Sequence, residues 1–160
     1  MTAVVVIGVG NEYRGDDGIG PAVAAEIDRR AVPGVRSVVA DGEPAALLEA
    51  WTGTERAIVV DAVLCEPSDP GRIWVSTVDN LPGGSGVASS HALGIPEALL
   101  LGQALGRVPG ELVVIAVEAE DLGLRAGLSP PVAKAFPRVV EAVLRECGRP
   151  YSRSTGSLPR

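Results

Sequence analysis

The stretch that decides the fold is residues 3–30, AVVVIGVGNEYRGDDGIGPAVAAEIDRR. It opens with a short β-branched apolar run bounded by glycine, the pattern of a strand buried on both faces. It closes with an amphipathic helix over 18–30, in which Ile19, Val23 and Ile27 share the apolar face and Pro21 suits the first turn. Strand, glycine turn and helix in succession mark the start of an α/β domain. The same pairing recurs downstream. Strands are expected at 35–40, 56–63 and 111–118, and helices at 44–51, 95–107 and 130–147. Pro137 implies a kink or a late start in the last helix. Residues 71–78, GRIWVSTV, alternate more strongly after a Pro-Gly turn and read as an edge strand. Residues 80–90 read as a loop. Strands separated by helices imply a three-layer α/β/α sandwich around a mostly parallel sheet. One domain is expected over 1–147, followed by a polar, disordered tail over 148–160.

Composition narrows the function classes. No segment reaches the roughly 20 apolar residues that a membrane helix needs, and the start lacks a basic leader region. A cytoplasmic protein without a membrane partner is therefore expected. Cys65 and Cys147 have no CxxC spacing and read as reduced thiols. A net charge of −6 disfavours a phosphate backbone, so no nucleic-acid partner is expected.

In an open parallel sheet, ligands bind beyond the carboxyl ends of the strands. The segments just after residues 8, 61 and 117 are thus the places to search. Gly8 and Gly10 supply two glycines of a dinucleotide fingerprint, but Tyr13 stands where the third belongs and two acids follow. The turn instead delivers Asp16 and Asp17 to the start of a helix, with Asn11 available to tie the loop. One aspartate can cap the helix while the other faces the crevice; capping is assigned to Asp16. Asp61 closes the apolar run AIVVD and needs a partner there, since an isolated buried charge is costly. His91, the single histidine, lies in SSHALGIPEALL between a glycine-rich loop and a helix. Two carboxylates and one imidazole suit a divalent transition metal such as nickel, zinc or iron. HExxH is absent, and GGSGV around Ser85 fails the G-x-S-x-G pattern.

The motifs GVGNEYRGDDGIG at 8–20, VVDAV at 59–63 and SSHALGIPEAL at 89–99 together resemble the hydrogenase maturation endopeptidases, which trim the large-subunit precursor of nickel–iron hydrogenases. The likeness runs from residue 3 to about 146, and LVVIAVE at 112–118 fits that family's last core strand. It implies a five-strand mixed sheet with one antiparallel edge, for which 71–78 is the candidate. It implies an aspartic-type endopeptidase whose nickel is supplied by the hydrogenase precursor, with Asp17, Asp61 and His91 as the metal-contacting and catalytic residues. The family's substrate-binding loop, usually Asp-Gly-Gly-Thr, falls on Asp41, Gly42, Glu43 and Pro44, so the last two positions depart from it. That departure leaves a rival reading, a non-proteolytic nickel-site or accessory binding protein in hydrogenase assembly. The acidic run at 118–121 also lacks the proline expected after the last strand; it either lines the cleft or forms a solvated rim, and the rim is the preferred reading.

Overall fold

The computed structural model describes residues 3–77, 87–88 and 94–150. In chain order the elements are β1 (Val4–Val9), a single 3-10 turn (Gly15–Gly18), α1 (Ile19–Arg30), β2 (Val35–Ala40), α2 (Pro44–Trp51), β3 (Arg56–Cys65), β4 (Ile73–Thr77), β5 (Val87–Ala88), α3 (Gly94–Leu105), β6 (Glu111–Glu118) and α4 (Pro130–Gly148). The main sheet runs β2-β1-β3-β6-β4. Its first four strands are parallel, and β4 lies antiparallel to β6 at the edge, as the alternation of 71–78 predicts. The two-residue β5 pairs antiparallel with Leu64 and Cys65. It falls inside the expected loop because two residues are too few to carry a periodicity. Its pairing also explains why β3 continues past residue 63.

Both faces of the sheet are covered. Val4, Val6, Ile58, Val60, Ile115 and Val117 pack against Ile19, Val23 and Ile27 of α1 and Val132, Val139 and Val143 of α4. The opposite face sets Val5, Ile7, Val59 and Val114 against Leu47 and Trp51 of α2 and Ile95 and Ala98 of α3. Double-sided burial is why these strands read as continuous apolar runs. Trp51 is fully buried and donates its indole N–H to the Arg107 carbonyl at 3.0 Å, tying α2 to the end of α3. That end comes two residues before the expected one. Gly106, at φ +67°, closes α3, with Arg107 N–H returning to the Gly102 carbonyl at 2.7 Å.

The connection β1–α1–β2 covers one face and β2–α2–β3 the other, so strand order reverses between β1 and β3. A crevice for a ligand opens at such a reversal. Here α1 starts in direct contact with the strands. A Cβ on Gly8 would lie 2.1 Å from the Gly20 carbonyl oxygen, and one on Gly20 would lie 2.3 Å from that of Val9. The first glycine of the turn therefore serves helix–strand approach, with Gly20 as its partner across the contact.

Residue α4 begins at Pro130, with prolines in its first turn, and runs through Pro137, so a late start does not occur. Pro137 and Ala133, whose carbonyl it leaves without a donor, both lie on the exposed side, where water can serve instead. At the opposite end of the molecule Arg56 is 2% exposed. Its guanidinium donates to Glu111 and to the carbonyls of Glu146, Arg149 and Pro150, fixing the end of α4. The remainder of the expected tail, 151–160, lies outside the described residues. No helix among the described residues is long and apolar enough to cross a membrane.

Candidate active site at the carboxyl ends of β1 and β3

The chain leaves β1 through Gly10, whose φ of +141° favours glycine. A Cβ there would meet the Asp17 carbonyl oxygen at 2.0 Å. Asn11 then organises the turn. Its side-chain oxygen accepts from Tyr13 N–H at 2.9 Å, its carbonyl accepts from Arg14 N–H at 3.1 Å, and its own N–H donates to Asp17 Oδ2 at 2.9 Å. Asp17 is fully buried. Its carboxylate is thus aimed by the main chain of the glycine turn.

Asp16 is equally buried but does different work. Its Oδ2 accepts from Glu120 N–H at 2.8 Å, Asp121 N–H at 3.1 Å and Ser129 Oγ at 2.8 Å, and its Oδ1 accepts from Ser129 N–H at 2.7 Å. Neither the 3-10 turn nor α1 has a side-chain cap. The expected capping role is therefore replaced by a tether between the β1–α1 turn and the segment joining β6 to α4. Main-chain bonds from Gly15 N–H to Arg125 O and from Asp16 N–H to Asp121 O, both 2.8 Å, reinforce it.

Asp61 lies within β3, opposite Ala116 of β6 and one residue beyond Val60, the last partner of β1. It is 2% exposed and shares the strand face of Ala57 and Val59, toward the α2–α3 layer. Asp17, in the turn that follows β1, and Asp61, within the neighbouring parallel strand β3, therefore flank the reversal of strand order. His91 lies outside the described residues. Among the described residues, no group of three or more His, Cys, Asp or Glu side chains is placed to hold a metal ion.

The 41–44 loop follows β2 at the same edge, where Gly10 N–H donates to the Ala40 carbonyl at 3.1 Å. Asp41 and Glu43 are exposed, Gly42 is buried at φ +93°, and Asp41 Oδ1 accepts from Glu43 N–H at 3.0 Å. Pro44 occupies the first turn of α2, where its missing N–H costs nothing.

Glu118 was missed by the expectation of a solvated rim. It is 1% exposed, and its oxygens accept from Asp69 N–H and Trp74 Nε1–H, each at 2.9 Å. Its position as the last residue of a buried strand was the available signal. Both cysteines are free thiols. Burial, with Glu118 nearby, pushes the Cys65 thiol up, and burial pushes Cys147 to about 11. Neither is activated as a thiolate nucleophile.

Comparison with known proteins finds the chain similar to hydrogenase maturation proteases. The family model described as HycI, hydrogenase maturation protease, matches residues 4–146. The hydrogenase 2 maturation protease of Escherichia coli K12 is 27% identical over 91% of this chain and 92% of that protein. The hydrogenase expression/formation protein HupD of Bradyrhizobium diazoefficiens is 31% identical over 97% and 84%. Among solved structures, the hydrogenase maturating endopeptidase HybD from E. coli superposes with a TM-score of 0.78 at 26% identity, covering 91% of this chain and 94% of that one.

Proposed function

The chain belongs to the hydrogenase maturation protease family, and we propose that it is the endopeptidase that removes the C-terminal extension of a nickel–iron hydrogenase large-subunit precursor after nickel insertion. The observation that carries this reading is the pair of buried carboxylates, Asp17 in the turn after β1 and Asp61 just past the last β1 partner in β3, on either side of the strand-order reversal. In this reading Asp17, Asp61 and His91 contact nickel held by the precursor, and residues 41–44 contact the precursor chain.

The place of β5 supports a role for His91. Ala88 pairs antiparallel with Leu64, three residues beyond Asp61 along β3. His91 is three residues on from Ala88, a reach of at most about 10 Å. Hydrolysis adds water across the peptide bond, its oxygen going to the new carboxyl carbon and a proton to the departing amine. A buried carboxylate fixed by a main-chain N–H can orient that water or take its proton. The raised thiols leave no cysteine to serve as the nucleophile.

Incubating the protein with a nickel-loaded precursor and measuring intact mass tests the proposal. Loss of a C-terminal fragment is the expected result. Stable binding without a change in mass would replace the peptidase with the non-proteolytic accessory protein.

A further inference from the structure

A second recess, of about 340 Å³, opens at the same edge of the sheet, lined by Asp69, Pro70, Gly71, Arg72, Ile73 and Arg138. Arg72 precedes β4, and because β4 runs antiparallel its start lies beside Glu118 at the carboxyl end of β6. The recess is therefore two strand spacings, about 10 Å, across the sheet from β3.

Its construction is specific. Gly71, at φ +90°, lets the 69–72 turn close on α4, since a Cβ there would lie 2.7 Å from the Pro131 carbonyl oxygen and 3.5 Å from Ala135 Cβ. Residues 131, 135 and 138 follow one stripe of α4, so this contact brings Arg138 to the recess. Arg72 is held from the other side. Its guanidinium lies 4.0 Å from the centre of the Trp74 ring, and Trp74 is itself anchored by its bond to Glu118. Among the described residues neither arginine is in an ion pair. Arg72 and Arg138 thus line one polar recess in a chain of net charge −6. Planar guanidinium groups match carboxylates in a forked geometry. The Asp69 carboxylate at the rim adds a repulsion that falls harder on a doubly charged phosphate than on a singly charged group.

We propose that Arg72 and Arg138 form a carboxylate-binding subsite that holds an acidic group of the protein substrate while the scissile bond lies at Asp17 and Asp61. It rests on the peptidase reading for the identity of the substrate, but the recess can be tested without cleavage. The arginine Nε–H signals of the ¹⁵N-labelled full chain, assigned with Arg72→Gln and Arg138→Gln, are followed during titration. The probes are acetyl-Ala-Ala-Ala with a free carboxylate, acetyl-Ala-Ala-Glu amide, acetyl-Ala-Ala-Ala amide and inorganic phosphate. Saturable shifts of both signals with the first or second probe, and none with the neutral amide, are expected. Whichever probe responds separates a chain-terminal carboxylate from an acidic side chain. No saturable shift, or a stronger response to phosphate, would overturn the subsite. In cleavage assays the Arg72→Gln/Arg138→Gln double variant should raise KM for nickel-loaded precursor about tenfold, the loss of roughly one charge-assisted hydrogen-bonding pair. Its kcat should stay within about twofold, because the contact is equal in ground and transition states. An unchanged KM would overturn a substrate role. Carboxylate binding without cleavage of any precursor by the wild type would overturn the peptidase reading and support the recess on its own.

Discussion

Asp16 and Asp17 are adjacent, equally buried and chemically identical, so their neighbours alone divide their work. The Asp17 carboxylate accepts from a main-chain N–H of the glycine turn that aims it, whereas that of Asp16 accepts from four donors across a gap of more than a hundred residues in sequence. Under the proposed function, Asp17→Asn, Asp61→Asn and His91→Gln should each abolish precursor cleavage while circular dichroism stays native. Asp16→Asn should act on stability. An amide can keep its oxygen toward three donors but must turn its NH₂ toward Ser129 N–H, leaving that buried donor unpaired at a cost of about 1–3 kcal/mol. For a chain of this size that lowers Tm by roughly 2–4 °C per kcal/mol, and residual activity should persist below the new Tm. An inactive Asp16→Asn beside an active Asp17→Asn would reverse the two roles. Gly10→Ala gives an independent check on the aim of Asp17. Its Cβ has to displace the Asp17 carbonyl, 2.0 Å away, from a backbone already at φ +141°, so cleavage should be lost even in protein that remains folded. Normal activity in this variant would mean that the turn does not position the acid.

The elements differ in how far they could be read from their residues. β1, β3 and β6 were legible as strands because burial on both faces leaves a run of Val, Ile and Ala with no polar interruption, and that same rule made Asp61 conspicuous. The edge strand β4 was legible through its alternation. β5 was not, because its existence depends on the partner it finds at Leu64 and Cys65, not on its own composition. Asp16 escaped for a related reason. Its partners at 120, 121 and 129 are distant in sequence, so the local option of capping looked sufficient. Glu118 looked solvated because charge alone was weighed, although two donors from the β3–β4 connection and β4 enclose it. In the candidate site, the burial of Asp17 and Asp61 and the strand-order reversal beside them were legible, the latter through the strand-order rule. The 41–44 loop belongs to this scale as well. It is carried by the carboxyl end of β2 beside the glycine turn, with both charged side chains exposed. Under the proposed function, a loop at this edge would set partner contacts while the glycine turn and β3 hold the acids. Replacing Glu43 by glycine and Pro44 by threonine should therefore change which precursors are cut, with Tm shifted by no more than a few degrees. Identical selectivity across a panel of precursors would reduce the loop to scaffolding.

At the scale of the whole molecule, one end holds the chain together and the other carries the acids. At the first end Glu111 joins β6 to Arg56 of β3 and to Arg149 after α4. Burial pushes its carboxyl up, but hydrogen bonds from Arg149 and Arg56 outweigh this and hold it below the usual carboxylate value of 4.5. A depressed folded-state pKa contributes stability that is present above 4.5 and is lost as the pH falls through the lowered value. Glu111→Gln should thus be less stable than wild type at neutral pH, because buried Arg56 loses a charged partner, yet should lose less further stability on acidification below 4.5; denaturant titrations across pH 3–7 check both. At the opposite end, the proposed function asks whether the nickel belongs to the enzyme or to the precursor. Under the proposed function the enzyme would offer nickel two hard carboxylates and an imidazole, with no thiolate in the set, and softer thiolates on a partner would hold nickel more firmly. Nickel dependence should therefore follow the precursor. Enzyme treated with a chelator and then freed of it should cut nickel-loaded precursor without added metal, and untreated enzyme should leave nickel-free precursor intact. Crossing stripped and untreated enzyme with stripped and loaded precursor, and weighing the four products, separates the two locations. Two cleaved samples sharing only the loaded precursor would place the metal requirement in the substrate. Cleavage that instead tracks the metal content of the enzyme would make this a conventional metallopeptidase, with the two aspartates and His91 as a resident site.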